Sequence, residues 1–358
     1  MATRVLTELR DITRQRLDTA ADAPLDAGEA RLAVRRFALT ANNVTYAATG
    51  DRLGYWRFYP GGVEGTGIVP VWGVAEVIES RSEALAEGDA LYGFLPMAER
   101  FVIRPEAVSE RTVVDRSPHR AELPAVYNAL VRLAPGRSAR EDHLRALLQP
   151  LIATSWLLAD WLAENGHFGA EQVVIGSASS KTGLGLARFL TDAGAVEVVG
   201  LTSERHRGFV EGLGCYDSVR SYEDVGGLAR RPTVYVDMSG VTEVKRRLHG
   251  HLGDDVVRSV SVGMSHWDAF EDAGPMPGAK PEFFFAPAQI ARRRADWGPG
   301  VVEARIEDGL ARVAEDAEDW MQIVRHDGLA GAMEAYAALA RGRAAPGEGH
   351  VVEMGGRG

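Results

Sequence analysis

Residues 28 to 125 show the alternation of apolar and polar positions that is typical of β-strands. Ala30, Leu32 and Val34 alternate with charged or small residues, as in a strand with one buried face. The run Gly67–Ile78 is rich in β-branched residues and contains a proline and a glycine, which predicts two short strands or one bent strand. Because turn signals recur at short intervals, we expect a small β-barrel or sandwich.

The pattern changes near residue 141. Apolar residues recur at helical spacing from Leu148 to Leu162 and again from Leu184 to Leu190. Strand-like apolar runs lie between and after these helices, at Gln172–Gly176, Val196–Leu201, Thr233–Val236 and Val256–Val262. Strands that alternate with helices form parallel sheets, so this region predicts an α/β domain with a doubly wound parallel sheet.

The C-terminal region is predicted to be helical again. The apolar positions from Val302 to Val324 suit one long amphipathic helix. Met333, Tyr336 and Leu339 suit a second, shorter helix, and the chain ends with a strand-like string at 350–354. These patterns predict three segments along the chain: 1–144, 145–290 and 291–358.

Composition limits the class of protein. The chain has 358 residues, of which 46% are hydrophobic and 25% charged, as is usual for globular proteins of about two domains. The net charge of −10 disfavours nucleic acid as a partner. Cys215 is the single cysteine, so no internal disulfide can form. The N-terminus has no apolar leader segment, and no run of about 18 apolar residues predicts a membrane helix. We therefore expect a soluble, cytoplasmic protein.

The strongest local signal is the segment 173–187, in which a strand enters a turn of small residues and then a helix. A helix N-terminus can hold a pyrophosphate, and small residues let the backbone approach it closely. The candidate cofactor-binding residues are Ser177, Ser179, Ser180, Lys181, Thr182 and Gly183. A serine precedes the lysine, so this is not a nucleoside-triphosphate loop of the Walker type. The alternative is an ordinary capped strand–turn–helix.

The end of the next strand indicates which dinucleotide would bind. NAD sites usually place an acidic residue there to bond the ribose 2′-hydroxyl, whereas here the strand leads into Thr202 and Ser203. Arg205 follows, and a guanidinium suits a 2′-phosphate. We therefore favour NADP(H) over NAD(H). The alternative is a solvated helix N-terminus with incidental arginines.

With these motifs, the chain resembles the medium-chain dehydrogenase/reductase superfamily, in particular its zinc-independent branch of quinone oxidoreductases and enoyl reductases. The resemblance implies a GroES-like β-barrel domain, a Rossmann domain at about 145–290, and a return to the first domain. Several strings also look like an uncharacterised family known as a domain of unknown function. They are Tyr55–Pro60, Pro70–Gly73, Tyr92–Pro96, Pro150–Ser155 and Ser179–Gly183.

The resemblance also implies roles for individual positions. Thr154 would lie near the nicotinamide, and Tyr46 and Asn43 lie where a loop of the first domain reaches it. Further implied cofactor contacts are Ser203, Arg205 and Tyr222 at the 2′-phosphate, and Gly240 and Gly263 at strand ends along the cofactor groove. The serine-lysine turn departs from the family pattern because it is one residue longer than the usual alanine-glycine turn.

Catalysis without a metal needs a proton donor. A tyrosine hydroxyl can protonate or stabilise the enolate that forms when hydride reaches a conjugated carbonyl compound. Tyr46 and Tyr55 are the main candidates, with Tyr59 as a third; Asn43 is a further candidate catalytic residue. Packing is the alternative role for each aromatic residue, and water is the alternative proton donor. The histidines and Cys215 show no metal-ligand spacing, so we expect no metal.

These observations favour an NADPH-dependent, zinc-independent reductase of a small conjugated carbonyl, such as an enone, a quinone or an enoyl thioester. Two alternatives stay open. The protein could bind the nucleotide as a sensor or structural protein without hydride transfer, or it could be a lyase or isomerase on the same fold. The resemblance also makes a homodimer an expectation, although no interface pattern is visible in the sequence.

Overall fold

The computed structural model describes residues 1–262 and 274–355. The chain divides into two compact units. Unit 1 combines Met1–Leu147 with Gln322–Gly358, and unit 2 is Leu148–Met321. The first boundary lies close to the predicted residue 145, whereas the second lies at Gln322 instead of residue 291.

The described elements follow one another along the chain. The strands are β1 (Ala2–Glu8), β2 (Asp11–Ala20), β3 (Ala30–Leu39), β4 (Thr66–Gly67), β5 (Pro70–Ser80), β6 (Ala90–Pro96), β7 (Arg100–Ile103), β8 (Pro105–Ala107), β9 (Thr112–Asp115), β10 (Ala129–Arg132), β11 (Gln172–Gly176), β12 (Glu197–Thr202), β13 (Ser218–Ser221), β14 (Thr233–Asp237), β15 (Val256–Ser261), β16 (Glu282–Phe283), β17 (Gln322–Asp327) and β18 (Glu348–Glu353). The helices are α1 (Ala41–Ala48), α2 (Gly50–Leu53), α3 (Ala139–Glu164), α4 (Lys181–Ala193), α5 (Glu204–Gly212), α6 (Thr242–Leu252), α7 (Ala286–Trp297), α8 (Val301–Glu315), α9 (Ala317–Trp320) and α10 (Gly328–Ala340).

Unit 1 is built on a mostly antiparallel sheet, as the alternating pattern predicts. The strand order is β17-β18-β3-β5-β6-β10-β9-β8, and β7 pairs with β3. A smaller sheet with the order β2-β1-β4 adds to it. The run 67–78 forms two strands, the short β4 and the long β5. The inward-facing side chains of β3, β5 and β6 form the core of the unit.

Helix α1 interrupts the predicted β region. Thr40 is its N-cap: the Thr40 hydroxyl accepts the Asn42 N–H, and the Asn43 side chain accepts the Thr40 N–H in return. This reciprocal cap satisfies two backbone donors and starts a helix directly after β3. The expectation that residues 28–125 are mostly β is therefore corrected at α1 and at the short α2 that follows it. At α1, local capping outweighs the alternation around the helix.

Unit 2 contains the predicted parallel sheet. Its order is β13-β12-β11-β14-β15-β16, and every neighbouring pair is parallel. Counted within the unit, this is the order 3-2-1-4-5-6, in which the direction of winding reverses between β11 and β14. Val174, Val199, Leu201 and Tyr235 lie in the core on one face of the sheet. Ligands of such sheets bind beyond the carboxyl ends of the strands at the reversal point.

Helix α3 is longer than the predicted helix at 148–162. By length and composition it could cross a membrane, with a mean hydropathy of 1.3 in its most apolar window. Half of that window is buried inside the protein, and core helices of soluble proteins pass the same test. Leu147, Leu148, Ile152 and Leu158 are fully buried. Its apolar face therefore forms part of the protein core.

The predicted single helix from 302 to 324 is wrong. Helix α8 ends at Glu315, and α9 is a single short turn of helix. Val324 lies in β17, which pairs in parallel with β18. The short helix α10 and the final strand β18 agree with the prediction. Helix α7 belongs to unit 2, where Arg293 Nε donates to Asp160 of α3 at 2.6 Å, so the second boundary comes after residue 291.

Candidate functional site

The turn between β11 and α4 has the compact geometry that the sequence predicts. Ser177 has a φ of 59°, a left-handed conformation that is uncommon for residues other than glycine. Ser180 is the N-cap of α4, and its hydroxyl accepts the Gly183 N–H at 3.1 Å. A Cβ at Gly183 would lie 2.9 Å from the Ser177 carbonyl oxygen, so this position needs glycine. Ser177, Ser179, Ser180, Lys181 and Thr182 are all half-buried.

Side chains from α5 and from both ends of β13 hold this turn in place. The Ser177 N–H donates to the Tyr222 hydroxyl at 3.1 Å, and the Tyr216 hydroxyl donates to the Ala178 carbonyl at 2.8 Å. Ser179 Oγ lies 3.3 Å from His206 Nδ1. Burial raises the pKa of Tyr222 to about 12, so its hydroxyl is neutral at pH 7. The structure therefore brings Ser177, Ser179 and Tyr222 together at one edge of the sheet.

The end of β12 carries polar groups that lack partners. Thr202 is 1% exposed, and neither its hydroxyl nor the buried Ser203 hydroxyl has a hydrogen-bond partner among residues 1–262 and 274–355. Ser203 is the N-cap residue of α5, but its side chain makes no capping bond. Arg205 is exposed and has no ion pair in the described part of the chain. Buried polar groups normally have partners. Because these two hydroxyls also lie at the carboxyl end of a strand of the parallel sheet, where ligands of such sheets bind, they are candidates for ligand contacts.

An acidic residue at the end of the strand would bond the ribose 2′-hydroxyl and repel a 2′-phosphate, but Glu204 is not in that position. It is the first residue of α5 and is exposed. Its charge acts on Arg207, which is also paired with Glu211 at 2.9 Å. Arg205 is therefore the arginine of this loop that has no carboxylate partner among the described residues.

Helix α3 supports the start of α4. The Ser155 hydroxyl lies 2.7 Å from the Thr182 carbonyl oxygen. A Cβ at Gly185 would lie 2.6 Å from Ile152 Cδ1, so the two helices meet at a glycine. The neighbouring Thr154 is half-buried, and its hydroxyl donates to the Pro150 carbonyl at 3.0 Å. Thr154 is therefore the neighbour of Ser155, which contacts the start of α4 directly.

The end of β14 continues the same edge of the sheet. Gly240 has a φ of 70°, and its N–H donates to Asp237 Oδ1 at 3.1 Å. The buried Asp237 is paired with Lys245 at 2.9 Å, and Lys245 also donates to Ser261 Oγ at 3.1 Å. This pairing neutralises the carboxylate next to the turn. Gly263, the remaining predicted strand-end residue, lies outside the described residues.

In unit 1, the candidate tyrosines lie in one aromatic cluster. The ring centroids of Tyr46 and Tyr55 are 4.6 Å apart. The Tyr46 hydroxyl accepts hydrogen bonds from Asn42 Nδ2 at 2.7 Å and from Trp72 Nε1 at 3.0 Å. The Tyr55 hydroxyl is 3.0 Å from the Tyr127 hydroxyl. Burial raises the pKa of both Tyr46 and Tyr55, so both are neutral phenols that can donate a proton.

Two other candidate residues of unit 1 have structural bonds. Asn43 is 3% exposed, accepts the Thr40 N–H and donates to the Pro70 carbonyl at 2.9 Å, so it caps α1 and fastens the helix to β5. The Tyr59 hydroxyl donates to the Phe94 carbonyl and receives a bond from Arg120. Both contacts serve packing in the structure, which leaves Tyr46 and Tyr55 as candidate proton donors. The Tyr55 hydroxyl is paired with the Tyr127 hydroxyl, whereas the Tyr46 oxygen accepts two N–H groups and keeps its own proton for a further contact, so Tyr46 is the stronger candidate.

Metal-ligating residues do not cluster in the described ranges 1–262 and 274–355: no group of three or more His, Cys, Asp or Glu side chains is placed to hold a metal ion there. Cys215 is buried, and burial raises the pKa of its thiol to about 11. A neutral, buried thiol is neither a good ligand nor a good nucleophile.

Comparison with known proteins identifies the family. The profile described as "Protein of unknown function (DUF2855)" matches residues 37–345. The chain belongs to the DUF2855 family. No curated protein is significantly similar in sequence to this DUF2855 protein.

Solved structures share the fold of this DUF2855 protein. CurA from Vibrio vulnificus, solved alone and in complex with NADPH, aligns with a TM-score of 0.65 and 14% identity over 99% of both chains. A quinone oxidoreductase from Pseudomonas syringae pv. Tomato DC3000 aligns with a TM-score of 0.58 and 15% identity over 99% of this chain and 100% of its own. The CurK enoyl reductase aligns with a TM-score of 0.58 and 12% identity over 99% of both chains. The predicted resemblance to this group and to a family of unknown function is confirmed.

Sequence reasoning missed three residues of this DUF2855 protein that the structure places at the candidate sites. His206 reaches Ser179 from the following helix, and Trp72 and Asn42 both donate to Tyr46. The i, i+4 spacing of Asn42 and Tyr46 on a helix was a usable signal once α1 was recognised. The contacts of His206 and Trp72 join separate elements, and no local pattern predicts them.

Proposed function

We propose that this protein is an NADPH-dependent, zinc-independent reductase of a small conjugated carbonyl compound. Unit 1 would correspond to a GroES-like domain and unit 2 to a Rossmann domain. The observation that carries the proposal is the pair of partnerless hydroxyls and the arginine at the end of β12, beside a glycine-serine turn at the reversal point of a parallel sheet. The NADPH complex of the structurally similar CurA supports it.

The residues of unit 2 fit the coenzyme in two places. The backbone of the turn and the N-terminus of α4 would hold the pyrophosphate, because the first amides of a helix lack intrahelical partners and carry partial positive charge. The Ser203 hydroxyl, the Arg205 guanidinium and the N-terminus of α5 would hold the 2′-phosphate. An acidic residue in the position of Ser203 would favour NADH instead.

Tyr46 of unit 1 would supply the proton. Bound NADPH would supply a hydride to the β-carbon of the substrate. The Tyr46 hydroxyl would donate a hydrogen bond to the carbonyl oxygen and transfer its proton as negative charge develops there. Hydride at the β-carbon and a proton on the carbonyl oxygen give the enol of the product. The enol becomes the saturated carbonyl compound when its hydroxyl proton returns to water and the α-carbon takes up a proton from water, and solvent returns a proton to the tyrosine. A neutral phenol suits this role because it still carries its proton at pH 7.

The test is NADPH consumption by the purified protein with an enone, a quinone and an enoyl thioester, followed by the near-ultraviolet absorbance of NADPH. We expect steady consumption with at least one substrate class and slower turnover with NADH. Tyr46→Phe should abolish most of the activity while NADPH still binds. Binding of NADPH without consumption across the panel would instead support a sensor, and conversion of a substrate without net NADPH oxidation would support a lyase or isomerase.

A further inference from the structure

Two N–H groups converge on the Tyr46 hydroxyl oxygen. One comes from Asn42, one turn earlier on α1, and the other from Trp72 on β5, at 2.7 and 3.0 Å. A phenol oxygen accepts through its lone pairs and donates through one proton. Both acceptor positions are therefore filled, and no residue in 1–262 or 274–355 accepts the Tyr46 proton. The Tyr46 hydroxyl proton is therefore available for a hydrogen bond to a ligand.

We infer that Asn42 and Trp72 are positioning residues that hold Tyr46 as the proton donor of the reaction. The inference rests on the proposed function, since it assigns the environment of the residue that would protonate the substrate. It goes further in naming two residues that would not touch the substrate and would act through Tyr46.

The packing around Trp72 fixes its N–H in place. The indole ring is stacked on Tyr92, with ring centroids 5.7 Å apart and planes at 23°. It also packs against Phe94, with ring centroids 5.2 Å apart. Tyr46 packs edge-on against the same Phe94 at 5.3 Å. Rings held in this way lose little further freedom during a reaction, so the donor is preorganised.

The position of Asn42 is fixed by the start of α1. Its backbone N–H donates to the Thr40 hydroxyl at 3.3 Å, which keeps the residue in the first turn of the helix. Residues four apart on a helix lie on the same face, so the Asn42 amide reaches the Tyr46 hydroxyl without distortion. The capping residues Thr40 and Asn43 thus support the candidate donor indirectly.

The two N–H groups bond more strongly to the Tyr46 oxygen when it is charged than when it is neutral. When Tyr46 gives up its proton, the oxygen becomes an anion in a buried aromatic cluster, which burial alone strongly disfavours. Hydrogen bonds to a charged oxygen are about twice as strong as those to a neutral one. The two donors therefore stabilise the phenolate more than the phenol, and they lower the barrier to proton transfer.

Trp72→Phe tests the inference because it keeps the aromatic packing and removes the N–H. We expect kcat for NADPH-dependent reduction to fall by about tenfold to a hundredfold, while KM and the affinity for NADPH stay unchanged. Asn42→Ala should act in the same direction and serves as the second variant if Trp72→Phe does not fold. Tyr92→Phe is the matched control, since it removes a hydroxyl from the ring stacked on Trp72 and leaves both donors to Tyr46.

A second measurement does not depend on turnover. A fluorinated tyrosine incorporated at position 46 ionises at lower pH than tyrosine, and its ionisation can be followed by absorbance. Trp72→Phe should lower the acid dissociation constant of this residue by about tenfold, the effect of losing one hydrogen bond to an anion. Tyr92→Phe should leave it unchanged.

The kcat of reduction and the titration of residue 46 together distinguish failure of the positioning role from failure of the proposed function. Unchanged titration and unchanged kcat in both Trp72→Phe and Asn42→Ala would overturn the inference. If the wild-type protein binds NADPH but reduces no substrate, the proposed function fails. The role of Asn42 and Trp72 in proton donation then fails with it. This holds even if the titration shows that their N–H groups stabilise the phenolate of Tyr46.

Discussion

At the scale of single residues, the end of β12 shows what a sequence can and cannot reveal. Ser203 and Arg205 are predicted from the sequence because hydroxyls and guanidinium groups suit phosphate, and no acidic residue stands at the strand end. The structure adds that the hydroxyls of Thr202 and Ser203 are buried and have no partner among the described residues. It also adds His206, which touches Ser179 across the turn. A contact between separate elements needs the fold and has no signature in the sequence.

The state of His206 leads to a pH prediction. Burial, assisted by the charge of Arg205, lowers the pKa of His206, so the ring is neutral at pH 7 in the free protein. A phosphate bound beside Arg205 would favour the charged ring and raise that pKa, so that NADPH binding would take up a proton. The affinity for NADPH should therefore rise as the pH falls from about 8 to about 7, a range in which the 2′-phosphate is still mostly a dianion.

The measurement is calorimetric titration across this pH range. NADH lacks the 2′-phosphate, so its affinity for the protein should not change with pH. His206→Asn keeps a polar group near Ser179 without a titrating ring and should remove most of the pH dependence for NADPH. Arg207→Ala is the control on the same helix, because Arg207 is paired with Glu211. An equal pH dependence in His206→Asn and wild type would contradict the role of His206.

At the scale of elements, predictions succeeded where one physical pattern dominates a segment. The strands β11 and β14 are fully buried, and their apolar runs identify them in the sequence. Helix α1 was missed because its signal is the cap formed by Thr40 and Asn43 and not its apolar spacing. The end of α8 was missed because β17 has a mixed pattern and gains its strand geometry from pairing with β18.

The contact between α3 and α4 gives a prediction at this scale. A Cβ at Gly185 would lie 2.6 Å from Ile152 Cδ1 and 2.8 Å from Ser155 Oγ. Gly185→Ala should therefore lower the free energy of unfolding by about 1–3 kcal/mol through overpacking. Because α4 begins at the candidate turn, the variant should also weaken NADPH binding. Urea unfolding and calorimetric titration measure the two effects.

Gly208→Ala is the matched control for this substitution. Gly208 lies inside α5, and a Cβ there would meet no atom within 4 Å. Alanine should therefore raise the stability by about 0.5–1 kcal/mol, since glycine is unfavourable inside a helix. If Gly185→Ala were as stable as Gly208→Ala, the close approach of α3 and α4 would be refuted.

At the scale of the whole molecule, the candidate functions divide between the two units. The candidate coenzyme residues lie in unit 2, in the range Leu148–Met321, and the candidate proton donor Tyr46 lies in unit 1. The alternation of strands and helices predicted the parallel sheet, and the resemblance predicted a mixed α/β fold, which this chain shares with the similar solved structures. The identity of the substrate does not follow from the fold, because one fold supports many chemistries.

The coenzyme claim is tested most directly by calorimetric titration of the wild-type protein and Arg205→Ala with NADPH and NADH. We predict that the wild type binds NADPH more tightly than NADH. Arg205→Ala should weaken NADPH binding by about tenfold or more, which is the loss of one charged hydrogen-bonded contact, and should leave NADH binding unchanged. Equal affinity of the wild type for the two coenzymes, or no binding of either, would contradict the proposed coenzyme site.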